Sequence, residues 1–380
     1  MKKRFLALLA ALSLLATLLC TPAFAEQSSR MDNFKVKKNT YTGFTDVPED
    51  AWCAAAVKSC YEAGLMQGTS AATFNPKGNL STAAALVMAC RVRMIYGGGD
   101  PTILDHRYPD KPWYWAAYEY AMSFGILDKE TMGLFAFDKP VTRRQMAYLF
   151  ARAINEDELP AINTIDRIPD VERTDVDKDF SREIYLLYQA GVLTGSDLYG
   201  TFHPDDTITR QAACAIIARI AFPEQRQKVE LCQRCSVGAM EFAMPAGTTQ
   251  SSEGETQSFD TPDGLTYAAV FQDTQTVYTG FPITMMPVEE LEKLLLEETA
   301  DGEATAEDLR TETVRFGSCD AYRCTFSLNV EQMKLPSCAY FAISGSTLYI
   351  YVLSTASGAD TLQTLANSVT LNGSPVSAKL

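Results

Sequence analysis

Between Phe44 and Ile220 one unit of about sixty residues is written three times, so this stretch must fold as three like parts sharing a core. The copies open FTDVPEDAW at Phe44, YPDKPWYW at Tyr108 and IPDVERTDVDKDF at Ile168. Landmarks recur in the same order. Asp46, Asp110 and Asp170 stand near each start; Gly64, Gly125 and Gly191 follow the first apolar run; Phe74, Phe135 and Phe202 precede the second. Ser81, Thr142 and Thr209 each fall seven residues after that Phe.

Each unit reads as two helices around a loop. In the first, Trp52 opens an apolar pattern through Ala56, Cys60 and Ala63 that stops at Gly64, a C-terminal cap signal. A loop with Gly68 and Pro76 leads to Ser81 as N-cap of the second helix, and Thr142 with Gln145 makes a capping box in the second unit. Arg143 and Arg210 occupy the first helical position after Thr142 and Thr209, where a cation is disfavoured by roughly 0.3–1 kcal/mol. Something must compensate them. The first unit has Thr82 at that position.

The ordered set F-x-D-V, W, G-[IVL]-x-x-G, F-x-P and [IV]-T-R resembles the S-layer homology (SLH) domain, and three tandem copies are that family's usual arrangement. The resemblance implies a mainly α half, three SLH repeats in a pseudo-threefold spindle, over 44–99, 108–156 and 168–222, preceded by an N-terminal segment at 26–43. It implies non-covalent binding of a pyruvylated or otherwise anionic secondary cell-wall polysaccharide. By position, the ligand-binding residues carried over are Arg143 and Arg210 with Asp46, Asp110 and Asp170, while Trp52 and Trp113 can offer apolar ring faces to a pyranose. An arginine fork beside free helix-start N–H groups suits a ketal carboxylate. The alternatives are that the arginines pair with loop aspartates and that the tryptophans are packing residues. Thr82 leaves the first unit without a cationic clamp; Lys129 replaces a Gly and Phe137 a Pro in the second; Asp179 stands at the Trp position of the third. At most two grooves should be competent.

The first 25 residues, with Lys2, Lys3 and Arg4 before an apolar run and Ala23 and Ala25 at the end, read as a secretory signal peptide. A lipoprotein site at Cys20 is opposed by the bulky Leu19 before it. No later stretch reaches the ~18 apolar residues of a membrane helix. The expectation is a secreted, cell-wall or cell-surface protein that does not span the membrane. Formal net charge is −14, and removing three cations with the signal takes it to −17. Such a balance argues against nucleic acid.

After the repeats, 223–258 reads as a linker, because PAGTTQSSEGETQS is poor in apolar residues. Cys232 and Cys235 form C-x-x-C there without a partner pair, so a local disulfide or two idle thiols is expected rather than zinc. From Phe259 the period shifts towards two: GLTYAAVF, TVYTGF, TVRFGSC, AYRCTFSL, CAYFAIS and TLYIYVLS read as strands. PVEELEKLLLEETA and GADTLQTLANSV read as helices. A C-terminal α+β domain with an antiparallel sheet over 259–372 follows. Its order of elements resembles PsbP/Mog1-like α+β domains.

Cys319 and Cys324 are candidates to bridge a hairpin. DVDKD (Asp175–Asp179) begins like a calcium loop but has Phe180 and Leu186 where Gly and Glu are needed, so no metal is assigned. Both histidines, His106 and His203, lie in the repeat region, leaving the C-terminal half no histidine to activate a nucleophile. The expected protein is a non-enzymatic wall anchor without cofactor, displaying a C-terminal domain to an unknown partner. Its rivals are a wall-associated enzyme using carboxylates of that domain, and a degenerate SLH scaffold for protein–protein contacts.

Overall fold

The computed structural model describes residues 29–174, 180–299, 304–330 and 333–378. The expected signal peptide and Asp175–Asp179, with the Trp-position Asp179, lie outside the described residues. The chain divides into two units. One holds the described residues up to Leu159 together with Thr207–Arg226; the other holds Pro160–Asp206 and the chain from Gln227 onward. The third repeat, expected over 168–222, contributes residues to both units.

The first unit contains α1 (Ala54–Glu62), α2 (Thr82–Tyr96), α3 (Trp115–Ser123), α4 (Arg143–Ala151) and α6 (Arg210–Ala221). Its first helices end where the glycines predict. Gly64 and Gly125 adopt φ of +76° and +70°, the left-handed turn that releases a helix without a Cβ penalty. The second helices start on hydroxyl caps: Ser81 accepts from Ala84 N, Thr209 from Ala212 N, and Thr142 forms the capping box with Gln145. Thirteen of the fifteen residues of α2 are buried, which makes it the central helix.

Just before these caps the repeats lock together. Leu80 N donates to Ile208 O (3.1 Å), Val141 N to Leu80 O (2.9 Å) and Ile208 N to Val141 O (3.3 Å). This closed triangle of equivalent residues makes the pseudo-threefold relation explicit. Two of the loops also finish a neighbouring helix start: Thr82 N and Ala83 N donate to Lys139 O and Phe137 O, and Arg210 N and Gln211 N to Gly78 O and Pro76 O.

In the second unit α5 (Ser181–Gln189) precedes eleven antiparallel strands: β1 (Cys232–Val237), β2 (Met240–Pro245), β3 (Thr249–Glu253), β4 (Thr256–Asp260), β5 (Thr266–Thr274), β6 (Ala304–Phe316), β7 (Cys319–Val330), β8 (Met333–Ser344), β9 (Thr347–Thr355), β10 (Thr370–Leu371) and β11 (Ser374–Ala378). Their order is β1-β2-β10-β11-β6-β7-β8-β9-β5-β4-β3. The sheet curls, since Phe242 on β2 packs its ring against Phe259 on β4 and Tyr351 on β9, with centroids 5.0 and 4.9 Å apart. Along β9, Leu348, Ile350 and Val352 face one core and Tyr349, Tyr351 and Leu353 the other. The first core is covered by α7 (Val288–Thr299) through Leu291 and Leu295, the second by α8 (Ala359–Asn367) through Leu365 and Ala366.

Three sequence expectations change here. Most of 232–258, read as part of a linker, forms β1 to β3 and the start of β4; β3 is exposed at all five positions, so its polar composition reflects an edge strand with no buried face. TVYTGF holds a 3-10 turn at Thr276–Tyr278, broken by Gly280 and Pro282 before a second at Ile283–Met285. Cys319 and Cys324 both lie on β7, five residues or about 17 Å apart and on opposite faces, too far to bridge. Cys232 and Cys235 share β1, and all nine described cysteines are thiols. Among the described residues no helix is long and apolar enough to cross a membrane.

Candidate functional site

Asp46 and Asp170 perform the same local task. The two oxygens of Asp46 accept from Phe74 N and Asn75 N, both at 2.7 Å. Those of Asp170 accept from Phe202 N (2.8 Å) and His203 N (2.6 Å). Asn75 and His203 sit in the left-handed region, at φ +57° and +55°, so each carboxylate holds a loop through an unfavourable turn. Burial opposes the charge on Asp46, but its two N–H donors and the Arg210 cation hold its carboxyl below the usual range.

The second repeat departs. Asp110 is exposed, adopts φ +61° and makes no hydrogen bond among the described residues. Phe135 N donates to Met132 O instead. The loop is organised by Asp128, which accepts from Thr131 N (2.8 Å), Thr131 Oγ1 (2.7 Å), Tyr148 Oη (2.9 Å) and Arg152 Nη1 (3.0 Å). Lys129, the residue that replaced glycine, follows it directly.

Arg210 lies across the junction between the third repeat's second helix and the first repeat's loop. Its Nε donates to Phe74 O (2.8 Å) and its Nη2 to Gln67 O (2.7 Å), while its guanidinium carbon stands 4.8 Å from the centre of the Phe74 ring. Burial lowers its pKa, and Asp46 works the other way. The N–H groups at the start of α6 are not free for a ligand, because Gly78 O, Pro76 O and Thr209 Oγ1 already accept from them. What the site presents is the remainder of the guanidinium. Two of its five N–H groups are spent on fixed carbonyls, leaving three in a set orientation. In the first repeat the equivalent Thr82 is buried and seals its junction by donating to Lys139 O (3.1 Å).

Trp52 is 64% exposed. Its neighbour Cys53 is buried and places Sγ 3.9 Å from Gln211 Oε1. Trp113 is 45% exposed and lies 5.9 Å from the Arg107 guanidinium in the second repeat. Arg143 is half-buried at the start of α4 and is engaged by groups of its own. Asp46 and Arg210 thus share one junction; Trp52, Asp110 and Trp113 also lie in the first unit, and Asp170 belongs to the other. The acceptors that fix Arg210, the carbonyls of Gln67 and Phe74, were invisible in the sequence because a backbone acceptor leaves no residue-type signal.

Like repeats closed by hydrogen bonds, with two helix starts completed by a neighbour's loop, define an interlocked repeat module. Residues 43–85 and 174–214 match the S-layer homology domain, and the chain carries that domain over those two stretches. Among curated relatives, an endoglucanase of Bacillus sp. (strain KSM-635) is 28% identical over 229 residues, 57% of this chain and 22% of the relative. The surface-layer 125 kDa protein of Lysinibacillus sphaericus is 30% identical over 127 residues, 32% of this chain and 11% of that protein. The chain therefore spans less than a quarter of either relative's length. A solution structure of cyanobacterial PsbP from Synechocystis aligns with 37% of this chain and 92% of that chain, at 16% identity and a TM-score of 0.31.

Proposed function

We propose that this protein is held non-covalently on the cell wall through its S-layer homology repeats, with the Arg210 junction gripping an anionic secondary polysaccharide and the C-terminal unit displayed at the surface. The observation that carries the reading is Arg210 itself. A guanidinium oriented by two backbone carbonyls keeps a preorganised fork for a carboxylate near Asp46, and the exposed Trp52 is assigned the ring of the sugar. The carboxylate of a pyruvyl ketal fits that fork, and the sugar carrying it fits the ring. Arg143 is assigned a similar grip at the start of α4, with Asp110, Asp170 and Trp113 as contributors on the other faces.

The test is sedimentation of the chain with purified walls, with and without acid removal of pyruvyl groups. Arg210→Ala and Arg210→Lys should each weaken binding roughly tenfold, since lysine keeps the charge but not the fork. Wall binding unchanged by either substitution sinks the reading. The same incubation also addresses the hydrolase alternative, which draws on a cleft of about 970 Å³ in the second unit whose walls include Asp166, Glu230 and Asp263. Asp263 there is committed to a turn, accepting from Thr261 Oγ1 and Leu265 N, so no release of reducing sugar is expected.

A further inference from the structure

We infer that the first unit carries a second carbohydrate site, for a neutral pyranose, in a shallow pocket between the C-terminal end of α2 and the start of the second repeat. The pocket encloses about 550 Å³, within the size of small-ligand clefts. It shares no residue with the Arg210 junction. Its floor is apolar, formed in part by the buried side chains of Met94 and Leu104. Its walls are aromatic. Tyr108, 41% exposed, meets the His106 ring edge to face at 4.6 Å, and Tyr120 on α3 is braced from behind by Phe124, stacked at 4.2 Å.

One carboxylate completes the pocket. Asp105 receives Arg91 Nη2 on its Oδ1 at 2.9 Å, and Arg91 is a nearly buried cation with only 10% of its side chain exposed. That pairing fixes the direction of the Asp105 carboxylate. Its Oδ2 has no partner among the described residues, and 47% of the side chain remains open to solvent. A rigid acceptor beside two aromatic faces matches the amphipathic surface of a sugar, whose ring C–H groups stack while its hydroxyls donate. The pocket offers an anion little, because Arg91, the buried cation behind it, is already paired with Asp105 and the open side of that carboxylate faces the ligand. The shallow opening suits an internal residue of a long glycan, which must enter and leave sideways.

The experiment uses the full chain with two neutral probes, the tetramers of N-acetylglucosamine and of glucose, followed by saturation-transfer NMR and titration calorimetry. At least one tetramer should bind, with Tyr108 and Tyr120 ring protons shifting. Tyr108→Ala, at an exposed position where folding is not at stake, and Asp105→Asn should each weaken it roughly tenfold. Arg210→Ala should leave it unchanged, so failure here and failure of the wall-anchoring reading are separable. The inference is overturned if neither tetramer binds, if binding survives Tyr108→Ala undiminished, or if Arg210→Ala abolishes it.

Discussion

A carboxylate facing several N–H and O–H donors is cheap to ionise and costly to protonate, and the repeats use this at different places. In the first and third repeats the aspartate is the sequence landmark itself, Asp46 and Asp170. In the second the landmark Asp110 has let go and Asp128 has taken over, with burial opposing its charge but Thr131, Tyr148 and Arg152 holding its pKa at about 2. The linkage has a definite sign. Asp128 is lowered from an ordinary value of 3.8, so between about pH 4 and pH 2 the unfolded chain binds the extra proton. Its stabilisation is present above that window and is lost as pH falls through it. Thermal melts across the window should show stability dropping with acidification, and Asp128→Asn should flatten part of that slope; an unaltered slope refutes the assignment.

Among the elements, what could be read from sequence was whatever depends on local chemistry. Ser81, Thr142 and Thr209 cap helices because a side-chain oxygen reaches its own chain's N–H groups, and Gly64 and Gly125 end helices because only φ matters there. β7, β8 and β9 were legible because alternate residues enter two cores. The early strands were not. β3 is exposed throughout and held only by its pairing with β4, which leaves no hydrophobic period to read. The candidate site was half legible: Arg210 and Asp46 were marked by the repeat, whereas the carbonyls that orient the arginine required the neighbouring repeat to be in place. The Leu80–Val141–Ile208 triangle belongs to the same hidden class. Val141→Pro would remove one of its donors and leave the Leu80 carbonyl buried and unmatched, which should cost about 1–3 kcal/mol by denaturant unfolding. A loss near zero would mean that the triangle accompanies packing rather than supporting it.

For the molecule as a whole, the course of the chain matters more than its composition. The polypeptide leaves the first unit at Leu159, returns for Thr207–Arg226 and leaves again. The excursion is tied into the second unit: Gln227 N donates to Gly191 O, Val229 N to Asn163 Oδ1 and Cys232 N to Leu198 O, while Leu198 and Tyr199 pack on the core beneath the sheet. A chain stopped after Arg226 would keep residues 160–206 and lose the sheet core on which Leu198 and Tyr199 pack. Such a fragment should bind a hydrophobic dye and self-associate where the full chain does neither, as light scattering would show. A monomeric, dye-silent fragment would mean that the excursion folds without the sheet.

The hydrogen-bond triangle also fixes a number. Repeats stacked in an open row can be lengthened or shortened by one, since each end resembles the last. A ring in which Leu80, Val141 and Ile208 hand a proton donor round to the starting point has no end at which to add. A fourth copy would have no acceptor to meet, and a deleted one would leave a donor and an acceptor facing a gap. Within that closed count the sequences of individual repeats can drift, as the second has done in giving up its aspartate cap, while their tally stays at three.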